Sequence, residues 1–342
     1  MEKIRTALVG YGSVGEKMHA PLISVCEDLE LVAVVERNGE RSKEKYPGIQ
    51  IFNSLEDLLK ADAADLIVIV TPNEFHFHYA KMALEAGKHV VVDKPVTIKS
   101  LEASLLKQYA QIHGLILSVF QNRRWDGDIQ TIRKLLQEET LGRIVHFESH
   151  FDRFRPQIVD NWREKDVPGN GITYDLGTHL IDQTVMLFGK PKWVYAEILK
   201  QRKGAVSDDF FDITMMYEGM KTRLSASVMV NAPLPKFLVL GEKGSYVKYG
   251  LDVQEKAFKA GEVPEGPNWG IENAEAWGTL HLENSAISYP TERGDYRHFY
   301  QNIADAIHGK AELKVKMEEA ITVLEIIEAV FRSNQEGKRI FL

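Results

Sequence analysis

The sequence predicts an α/β fold in which a doubly wound parallel domain precedes an α+β domain with a large open, mainly antiparallel sheet. The chain has 342 residues, which exceeds one average domain. Over roughly the first 120 residues, apolar strand-like segments alternate with helix-compatible segments, as in a parallel sheet covered on both faces. Beyond about residue 125 the pattern changes to a period of two, which is typical of antiparallel strands. We therefore predict domains at residues 1–122 and 123–342.

Composition narrows the classes of partner. Apolar content of 44% and charged content of 27% are ordinary for a globular protein. The net charge of −7 argues against a nucleic-acid partner, because such surfaces carry a basic excess. The longest apolar run, at residues 66–70, is too short to span a bilayer. A single cysteine, Cys26, and no N-terminal signal pattern lead us to expect a cytoplasmic protein without nucleic-acid or membrane partners.

A glycine motif follows the first predicted strand, residues 4–9. Gly10, Gly12 and Gly15 in GYGSVG have the G-x-G-x-x-G spacing. The first glycine permits a tight turn, the second lets the backbone approach a pyrophosphate, and the third allows close packing of the next helix. The second strand, LELVAVVE, ends at Glu36, 21 residues after Gly15, where a carboxylate binds the adenosine ribose. These features together predict a Rossmann dinucleotide-binding domain.

Further strand–helix units follow this motif. We predict one helix with a serine cap at Ser54 and another capped at Ser100. Between them, a helix with Gly87 as its stop carries apolar residues at helical spacing, namely Phe75, Tyr79, Met82 and Ala86.

The carboxyl ends of the predicted parallel strands should bind the ligand, because this edge carries the ligands of doubly wound sheets. The segments VTPN, VDKP and FQNRR end three of these strands, so Lys94 lies on the predicted ligand edge. We expect cofactor contacts from Gly10, Tyr11, Gly12, Ser13, Val14, Gly15, Glu36, Arg37, Thr71, Pro72, Asn73, His76, Asp93, Lys94, Asn122 and Arg124.

The second half contains one chemistry-bearing segment, PGNGITYDLGTHLIDQ at residues 168–183. Asp175 and His179 are four residues apart in a predicted helix and therefore share a face, with Asp182 roughly on the same side. A carboxylate that orients a histidine produces a general acid/base. The residues alone leave open a surface pair that stabilises the helix by about a few tenths of a kcal/mol.

A metal site is not expected. His76 and His78 are two residues apart and point away from each other on a helix. His146 and His150 are separated along one predicted strand.

The motifs GYGSVG, TPNEFHFHYAKMALEAGKHVVVDKP and NRRW together resemble those of the Gfo/Idh/MocA family of NAD(P)-dependent oxidoreductases. Asp93-Lys94-Pro95 stands where that family has Glu-Lys-Pro, so the acid is one methylene shorter. The family motif G-x-x-x-D-x-G-x-H-x-x-D matches residues 171–182 and favours catalysis over a surface pair. NRRWDGD, FDRFRP, WREK and YDLGTHLIDQ are most similar to the scyllo-inositol 2-dehydrogenase branch.

This resemblance implies hydride transfer between NAD(P) and a secondary alcohol or ketone of a cyclic polyol or sugar. His179 would exchange the hydroxyl proton with Asp175 orienting it or sharing the role, and Lys94 would stabilise charge on the reacting oxygen. Substrate contacts are expected from Lys94, Asn122, Arg155, Trp162, Tyr174, Asp175 and His179, although interfaces also favour Arg, Trp and Tyr.

Two neighbouring residues favour different cofactors. Glu36 would accept from the 2′-hydroxyl of NAD, whereas Arg37 would attract the 2′-phosphate of NADP. Electrostatics favour NAD slightly. We also expect a homodimer or homotetramer formed through the open sheet.

Alternatives are a non-catalytic NAD(P)H sensor and a glycosidase with recycled NAD. A dihydrodiol or biliverdin-type reductase fits the inositol-like motifs less well.

Overall fold

A computed structural model describes residues 2–37, 39–159 and 164–342. The described residues divide into two compact units. Unit 1 comprises residues 1–122, 254–269 and 295–321, and unit 2 comprises residues 123–253, 270–294 and 322–342. Trp162, an expected substrate contact, lies outside the described residues. The chain thus returns to unit 1 twice after residue 122.

Unit 1 is built on a parallel sheet. Among the described residues, this sheet has six strands in the order β3-β2-β1-β4-β5-β6. Every neighbouring pair is parallel. The strands are β1 (Ile4–Val9), β2 (Leu29–Val35), β3 (Gln50–Phe52), β4 (Leu66–Ile69), β5 (His89–Val92) and β6 (Leu117–Val119). This doubly wound order confirms the predicted Rossmann fold and gives the strands a common carboxyl edge.

The helices within the described ranges are α1 (Ala20–Ser24), α2 (Ser42–Lys45), α3 (Leu55–Lys60), α4 (His76–Glu85), α5 (Ser100–Ile112), α6 (Gly127–Gln137), α7 (Thr178–Phe188), α8 (Val253–Ala260), α9 (Arg297–Ile307) and α10 (Met317–Glu336). The predicted cap of α3 is confirmed, because the Ser54 hydroxyl accepts from the Asp57 amide at 3.1 Å. The predicted cap of α5 is wrong: Ser100 is already helical, and Lys99 is the N-cap residue.

The apolar face predicted for α4 was also wrong by one position. The helix buries His76, Ala80, Ala83 and Leu84. Of the apolar residues noted at helical spacing, Phe75, Tyr79 and Met82 are half-buried and Ala86 is exposed. Residues 73–75 form a 3₁₀ turn, so α-helical periodicity begins only at His76. The predicted stop at Gly87 holds, since its φ of +75° lies in the left-handed region.

Unit 2 contains the predicted large sheet. In the described part of the chain it has nine strands in the order β14-β13-β12-β11-β7-β10-β9-β8-β15. These are β7 (Ile144–His150), β8 (Trp193–Leu199), β9 (Phe210–Met216), β10 (Lys221–Ser227), β11 (Phe237–Gly241), β12 (Gly244–Lys248), β13 (Gly278–Leu282), β14 (Ser285–Tyr289) and β15 (Ile340–Phe341). Only β7 and β10 pair in parallel among these strands, which confirms a mainly antiparallel sheet.

The two faces of this sheet differ in burial. Phe147 and Ser149 on β7 are buried, whereas the alternating residues His146, Glu148 and His150 are half-buried. The Glu148 carboxylate lies 2.7 Å from His146 Nε2 and 3.0 Å from His150 Nε2, so an acid joins the two histidines. Nevertheless, the described residues contain no group of three or more His, Cys, Asp or Glu that could hold a metal ion.

Some elements were absent from the sequence prediction, notably α8, α9 and the β13–β14 hairpin. Strand β14 is exposed over most of its length, so no apolar alternation marks it. None of the helices within the described ranges is long and apolar enough to cross a membrane.

Candidate cofactor and catalytic sites

The glycine loop of unit 1 has the geometry that a pyrophosphate requires. A Cβ on Gly10 (φ +105°) would lie 2.6 Å from the Val70 carbonyl oxygen, and one on Gly15 would lie 2.3 Å from the Gly10 carbonyl oxygen. A Cβ on Gly12 would meet nothing within 4 Å. Gly10 and Gly15 are therefore required by internal packing, while Gly12 borders open space that a side chain would fill. This arrangement fits a bound dinucleotide.

The helix after this loop begins with a π-helical turn, Gly15–His19, that continues into α1. The Glu16 amide donates to the Gly12 carbonyl at 2.8 Å, which fixes the end of the loop. π-helical turns are rare and occur frequently at functional sites.

The acid at the end of β2 is buried. Glu36 is 5% exposed, and its Oε2 accepts hydrogen bonds from the Ser42 amide at 3.0 Å and the Ser42 hydroxyl at 2.7 Å. Arg41 Nε lies 3.8 Å from the other oxygen, Oε1. Arg41 also donates to the Tyr11 carbonyl at 2.6 Å, which links this acid to the glycine loop. Arg37, the other predicted cofactor contact here, is exposed.

His76 connects the carboxyl ends of β4 and β5. Its ring is buried, with Nδ1 2.7 Å from the Pro95 carbonyl oxygen and Nε2 2.8 Å from the Thr71 carbonyl oxygen. Burial lowers the pKa of the imidazole, and the two carbonyls oppose that shift. A neutral imidazole has one N–H, so it donates to only one of these two carbonyls. Both ring nitrogens nevertheless face backbone oxygens, so the geometry favours a positioning role over direct contact with a cofactor.

The segment Asp93-Lys94-Pro95 follows β5 at the predicted edge, with a cis peptide bond between Lys94 and Pro95. Asp93 Oδ1 accepts from the Lys94 amide at 2.8 Å and lies 4.0 Å from His19 Nε2. His19 is fully buried, its Nδ1 lies 2.6 Å from the Tyr300 hydroxyl, and burial lowers its pKa to about 4. His19, a neutral histidine, therefore lies next to Asp93, the acid that accepts from the Lys94 amide.

The acid/base motif of unit 2 begins with a second π-helical turn, Thr173–Gly177, and continues into α7. A constrained glycine precedes this turn: Gly171 has φ +91°, and a Cβ there would lie 1.9 Å from Asp208 Oδ1. Asp208 accepts from the Thr173 amide and hydroxyl at 2.8 and 2.7 Å, while burial raises the pKa of its carboxyl. These contacts fix the turn that carries Asp175.

His179 lies on the first turn of α7 and is 7% exposed, whereas Asp175 is half-buried. The third residue of the motif, Asp182, forms a buried ion pair with Arg124 at 2.6 and 2.8 Å. Gln183, one turn beyond His179, donates to the Arg123 carbonyl at 2.8 Å. His179 and Asp175 therefore remain the candidate catalytic groups of the motif. Asp182 instead binds Arg124 of the NRRW segment.

The other expected contacts have varied surroundings. Asn122 is buried, and its amide lies 3.7 Å from Met18 Sδ in unit 1. Tyr174 stacks on Phe331 of α10 with ring centroids 5.3 Å apart. Arg155 is exposed. Thr71, Pro72 and Asn73 are half-buried at the end of β4.

Sequence reasoning missed a cationic cluster in unit 2. Arg123, Arg153 and Lys236 lie over the ring of the buried Phe151, at 4.8, 4.8 and 4.6 Å from its centroid. Arg123 and Lys236 are themselves buried. The NRRW and FDRF segments signalled two of these cations, but nothing in the sequence joined Lys236 to them, because that contact depends on the pairing of β11 with β7.

Comparison with known proteins agrees with this geometry. A model of the oxidoreductase family NAD-binding Rossmann fold matches residues 4–121, and its C-terminal alpha/beta domain model matches residues 133–342. The uncharacterized oxidoreductase YdgJ of Escherichia coli (strain K12) is 41% identical over 96% of this chain and 95% of its own length. The scyllo-inositol 2-dehydrogenase (NADP(+)) IolW of Bacillus subtilis (strain 168) is 36% identical over 100% of this chain and 97% of its own. The structure of yvaA from Bacillus subtilis has a TM-score of 0.96 at 36% identity and covers 100% of this chain and 99% of that one. The chain therefore belongs to the Gfo/Idh/MocA oxidoreductase family and is an NAD(P)-dependent oxidoreductase.

Proposed function

We propose that this protein transfers a hydride between NAD(P) and a secondary alcohol or ketone of a cyclic polyol or sugar. The observation that carries the proposal is the pair of motifs: the Asp93-Lys94-Pro95 segment follows β5 on the edge that also holds the glycine loop. Asp175 lies on the π-helical turn that Asp208 fixes, and His179 lies on the first turn of α7, which follows it. A dinucleotide site needs neither Lys94 nor His179, so their presence favours an enzyme over a sensor.

In this proposal Lys94 donates a hydrogen bond to the reacting oxygen and stabilises the negative charge that develops there. His179 removes the hydroxyl proton during oxidation and returns it during reduction, with Asp175 orienting the imidazole or sharing the proton. The bound nicotinamide supplies the hydride acceptor or donor. Asp93 and His76 hold the backbone on either side of Lys94 and act as positioning residues.

The proposed substrate class draws on relatives. IolW and IolU of Bacillus subtilis are scyllo-inositol 2-dehydrogenases, at 36% and 27% identity. A D-glucoside 3-dehydrogenase of Escherichia coli is 30% identical over 55% of this chain. A polyol or sugar ring carries many hydroxyls that donate and accept hydrogen bonds. Polar side chains such as Asn122, Arg123 and Arg153 could bind them.

We propose NAD as the preferred cofactor by a small margin. The Glu36 carboxylate would accept from a ribose hydroxyl and repel a 2′-phosphate. One of its oxygens already accepts twice from Ser42, so at most the other is available to the ribose. The preference should therefore be modest.

We further propose a homodimer or homotetramer that covers the open face of the sheet in unit 2. On that face the side chains of β9 are half-buried, and those of β8 are half-buried at Trp193 and Tyr195 and exposed at Glu197 and Leu199. Trp193 and Tyr195 pair with Met216 and Thr214 across the strands. Large apolar or aromatic surfaces of this kind mark interaction sites. Light scattering after size-exclusion chromatography tests this proposal with Tyr195→Arg. A wild-type protein that runs as a monomer at every concentration contradicts it.

The decisive experiment follows the reduced-nicotinamide absorbance with NAD and NADP in parallel. The substrate panel contains inositols, aldoses, glucosides and sugar acids, so that neutral and anionic polyols are separated. Lys94→Ala and His179→Ala are compared with wild type, and Lys88→Ala is the control because it removes a lysine at the opposite end of β5, where it pairs with Asp62. Thermal unfolding of each variant confirms folding.

Turnover with one polyol that falls at least about a hundredfold in both catalytic variants, with the control unchanged, supports the proposal. Cofactor binding without turnover across the panel contradicts it and favours the sensor. Product formation from a glycoside without net reduced cofactor favours the glycosidase with recycled NAD.

A further inference from the structure

We propose that Tyr300 and His19 are positioning residues for Lys94, with Tyr300 fixing which nitrogen of the His19 ring carries the proton and faces Asp93. Both residues lie beyond the positioning groups named above, and their role depends on the function proposed for Lys94. All four residues belong to unit 1, although Tyr300 comes from α9, in a segment that returns to this unit after residue 294.

The contacts form a chain from α9 to the Lys94 backbone. His19 Nδ1 lies 2.6 Å from the Tyr300 hydroxyl. On the other side of the ring, His19 Nε2 lies 4.0 Å from Asp93 Oδ1, the oxygen that accepts from the Lys94 amide at 2.8 Å. A change at Tyr300 therefore reaches Lys94 through only two side chains.

The middle of this chain is closed to solvent. His19 and Tyr300 are completely buried. Phe120 packs against His19 with ring centroids 4.1 Å apart, and it also contacts the Tyr300 ring. Because the aromatic surroundings are apolar, the low local dielectric strengthens the interactions of the imidazole with Tyr300 and Asp93.

One tautomer of His19 suits both neighbours. Burial lowers the pKa of His19 to about 4, so the ring is neutral near pH 7 and carries a single N–H. Burial also raises the pKa of Tyr300, so its hydroxyl keeps the proton and donates it to Nδ1. The ring proton then lies on Nε2, facing the Asp93 carboxylate. The opposite tautomer would turn the Nε2 lone pair toward a carboxylate oxygen, which is electrostatically repulsive.

The separation of 4.0 Å between His19 Nε2 and Asp93 Oδ1 leaves room for this contact to tighten. It exceeds the length of a hydrogen bond and is shorter than the span of about 4.6 Å that two hydrogen bonds through a water molecule require. Among the residues that the structure describes, Nε2 has no hydrogen-bond partner that would compete. Hydrogen bonds at catalytic sites are often long in the free protein and shorten when the reactants bind. We therefore expect Nε2–H to bond to Asp93 in the reacting complex and so to hold the Lys94 backbone.

Two-bond ¹H–¹⁵N spectra of the imidazole rings test the tautomer in the free protein, without cofactor or substrate. The His19 signals are those that disappear in His19→Gln. The protonated nitrogen should be Nε2, and the Nδ1 resonance should shift in Tyr300→Phe, which removes only the donor. A proton on Nδ1 in wild type, or an Nδ1 resonance that stays in place in Tyr300→Phe, would overturn the proposal even if Lys94 proves catalytic.

Kinetics with the substrate found in the polyol panel test the effect on Lys94. Tyr300→Phe should lower kcat at least about fivefold and His19→Asn at least about tenfold, because each loosens a group that aligns Lys94. KM and the NADH dissociation constant should change less than about threefold, since the contact tightens only in the reacting complex. His19→Gln should keep a kcat about threefold or more above that of His19→Asn, because its longer amide places a donor near the position of Nε2.

Tyr296→Phe is the matched control. Tyr296 lies four residues before Tyr300 and is also buried, but its ring stacks on Phe258 rather than contacting His19. This variant loses a buried hydroxyl and should keep kcat within about twofold of wild type. Equal losses of kcat in Tyr296→Phe and Tyr300→Phe, or an unchanged kcat in Tyr300→Phe, would overturn the positioning role. Turnover that survives Lys94→Ala would instead contradict the proposed function, while the spectra still decide the tautomer.

Discussion

Arg124 and Asp182 form a buried two-pronged ion pair, with Nε 2.8 Å from Oδ2 and Nη2 2.6 Å from Oδ1. Both side chains are less than 5% exposed. The pair attaches the NRRW segment to α7, the helix that carries His179. Asp182, the last residue of the family motif, therefore holds α7 and the NRRW segment together.

Removing one partner of this pair leaves a buried charge. We expect Asp182→Ala to lower the free energy of unfolding by about 3–5 kcal/mol. Urea denaturation measures this loss. The double variant Arg124→Met/Asp182→Leu removes both charges and should recover most of it, and a double variant as unstable as Asp182→Ala would contradict the explanation.

Alanine at two glycines should separate cofactor binding from folding. Gly12→Ala adds a methyl group to open space beside the loop, so it should weaken NADH binding by about tenfold or more while leaving the melting temperature nearly unchanged. Gly15→Ala forces a Cβ against the Gly10 carbonyl and should destabilise the protein by about 1–3 kcal/mol. Calorimetry and fluorescence titration measure the two effects. The interpretation fails if Gly12→Ala binds NADH like wild type.

Stability should fall in acid because of His19. Burial lowers the pKa of this histidine to about 4, so the folded protein keeps the imidazole neutral while the unfolded chain takes up a proton below its ordinary pKa. The free energy of unfolding therefore keeps its full value above pH 6.5. It decreases as the pH falls toward about 4, by up to about 3 kcal/mol. Denaturation at several pH values in this range gives the free energy of unfolding as a function of pH. Its slope should be smaller for His19→Phe than for wild type. The exposed His78→Gln serves as the control and should keep the wild-type slope.

His76 should affect turnover more than cofactor affinity. Its ring nitrogens bridge the Thr71 and Pro95 carbonyls, and Pro95 follows Lys94. We expect His76→Ala to lower kcat by about 10- to 100-fold, because a displacement near 1 Å of a catalytic group has effects of this size. The NADH dissociation constant should change less than about threefold. A large loss of NADH affinity with kcat preserved would instead assign His76 to the cofactor.

Local sequence identified the parts that obey short-range rules. The strand–helix alternation predicted the parallel sheet of unit 1, and the spacing of Gly10, Gly12 and Gly15 predicted the glycine loop. Close packing explains Gly10 and Gly15, and Gly12 borders open space. Period-two alternation likewise predicted the central strands of the large sheet. These predictions succeeded because burial on one or two faces leaves a periodic mark on the residues themselves. Exposed strand β14 carries no such mark and was missed.

Charge partners depended on tertiary structure. Glu36, Arg124 and Asp182 were each visible in the sequence as polar residues in motifs, yet their partners lie on other elements or in turns. The cluster of Arg123, Arg153 and Lys236 around Phe151 joins segments more than 80 residues apart, since Lys236 is 85 positions after Phe151. Sequence by itself thus determined the fold class and the candidate chemical groups. Only the tertiary structure decided which carboxylates are already engaged within the protein, because that depends on strand pairing and burial, which bring together residues distant in the chain.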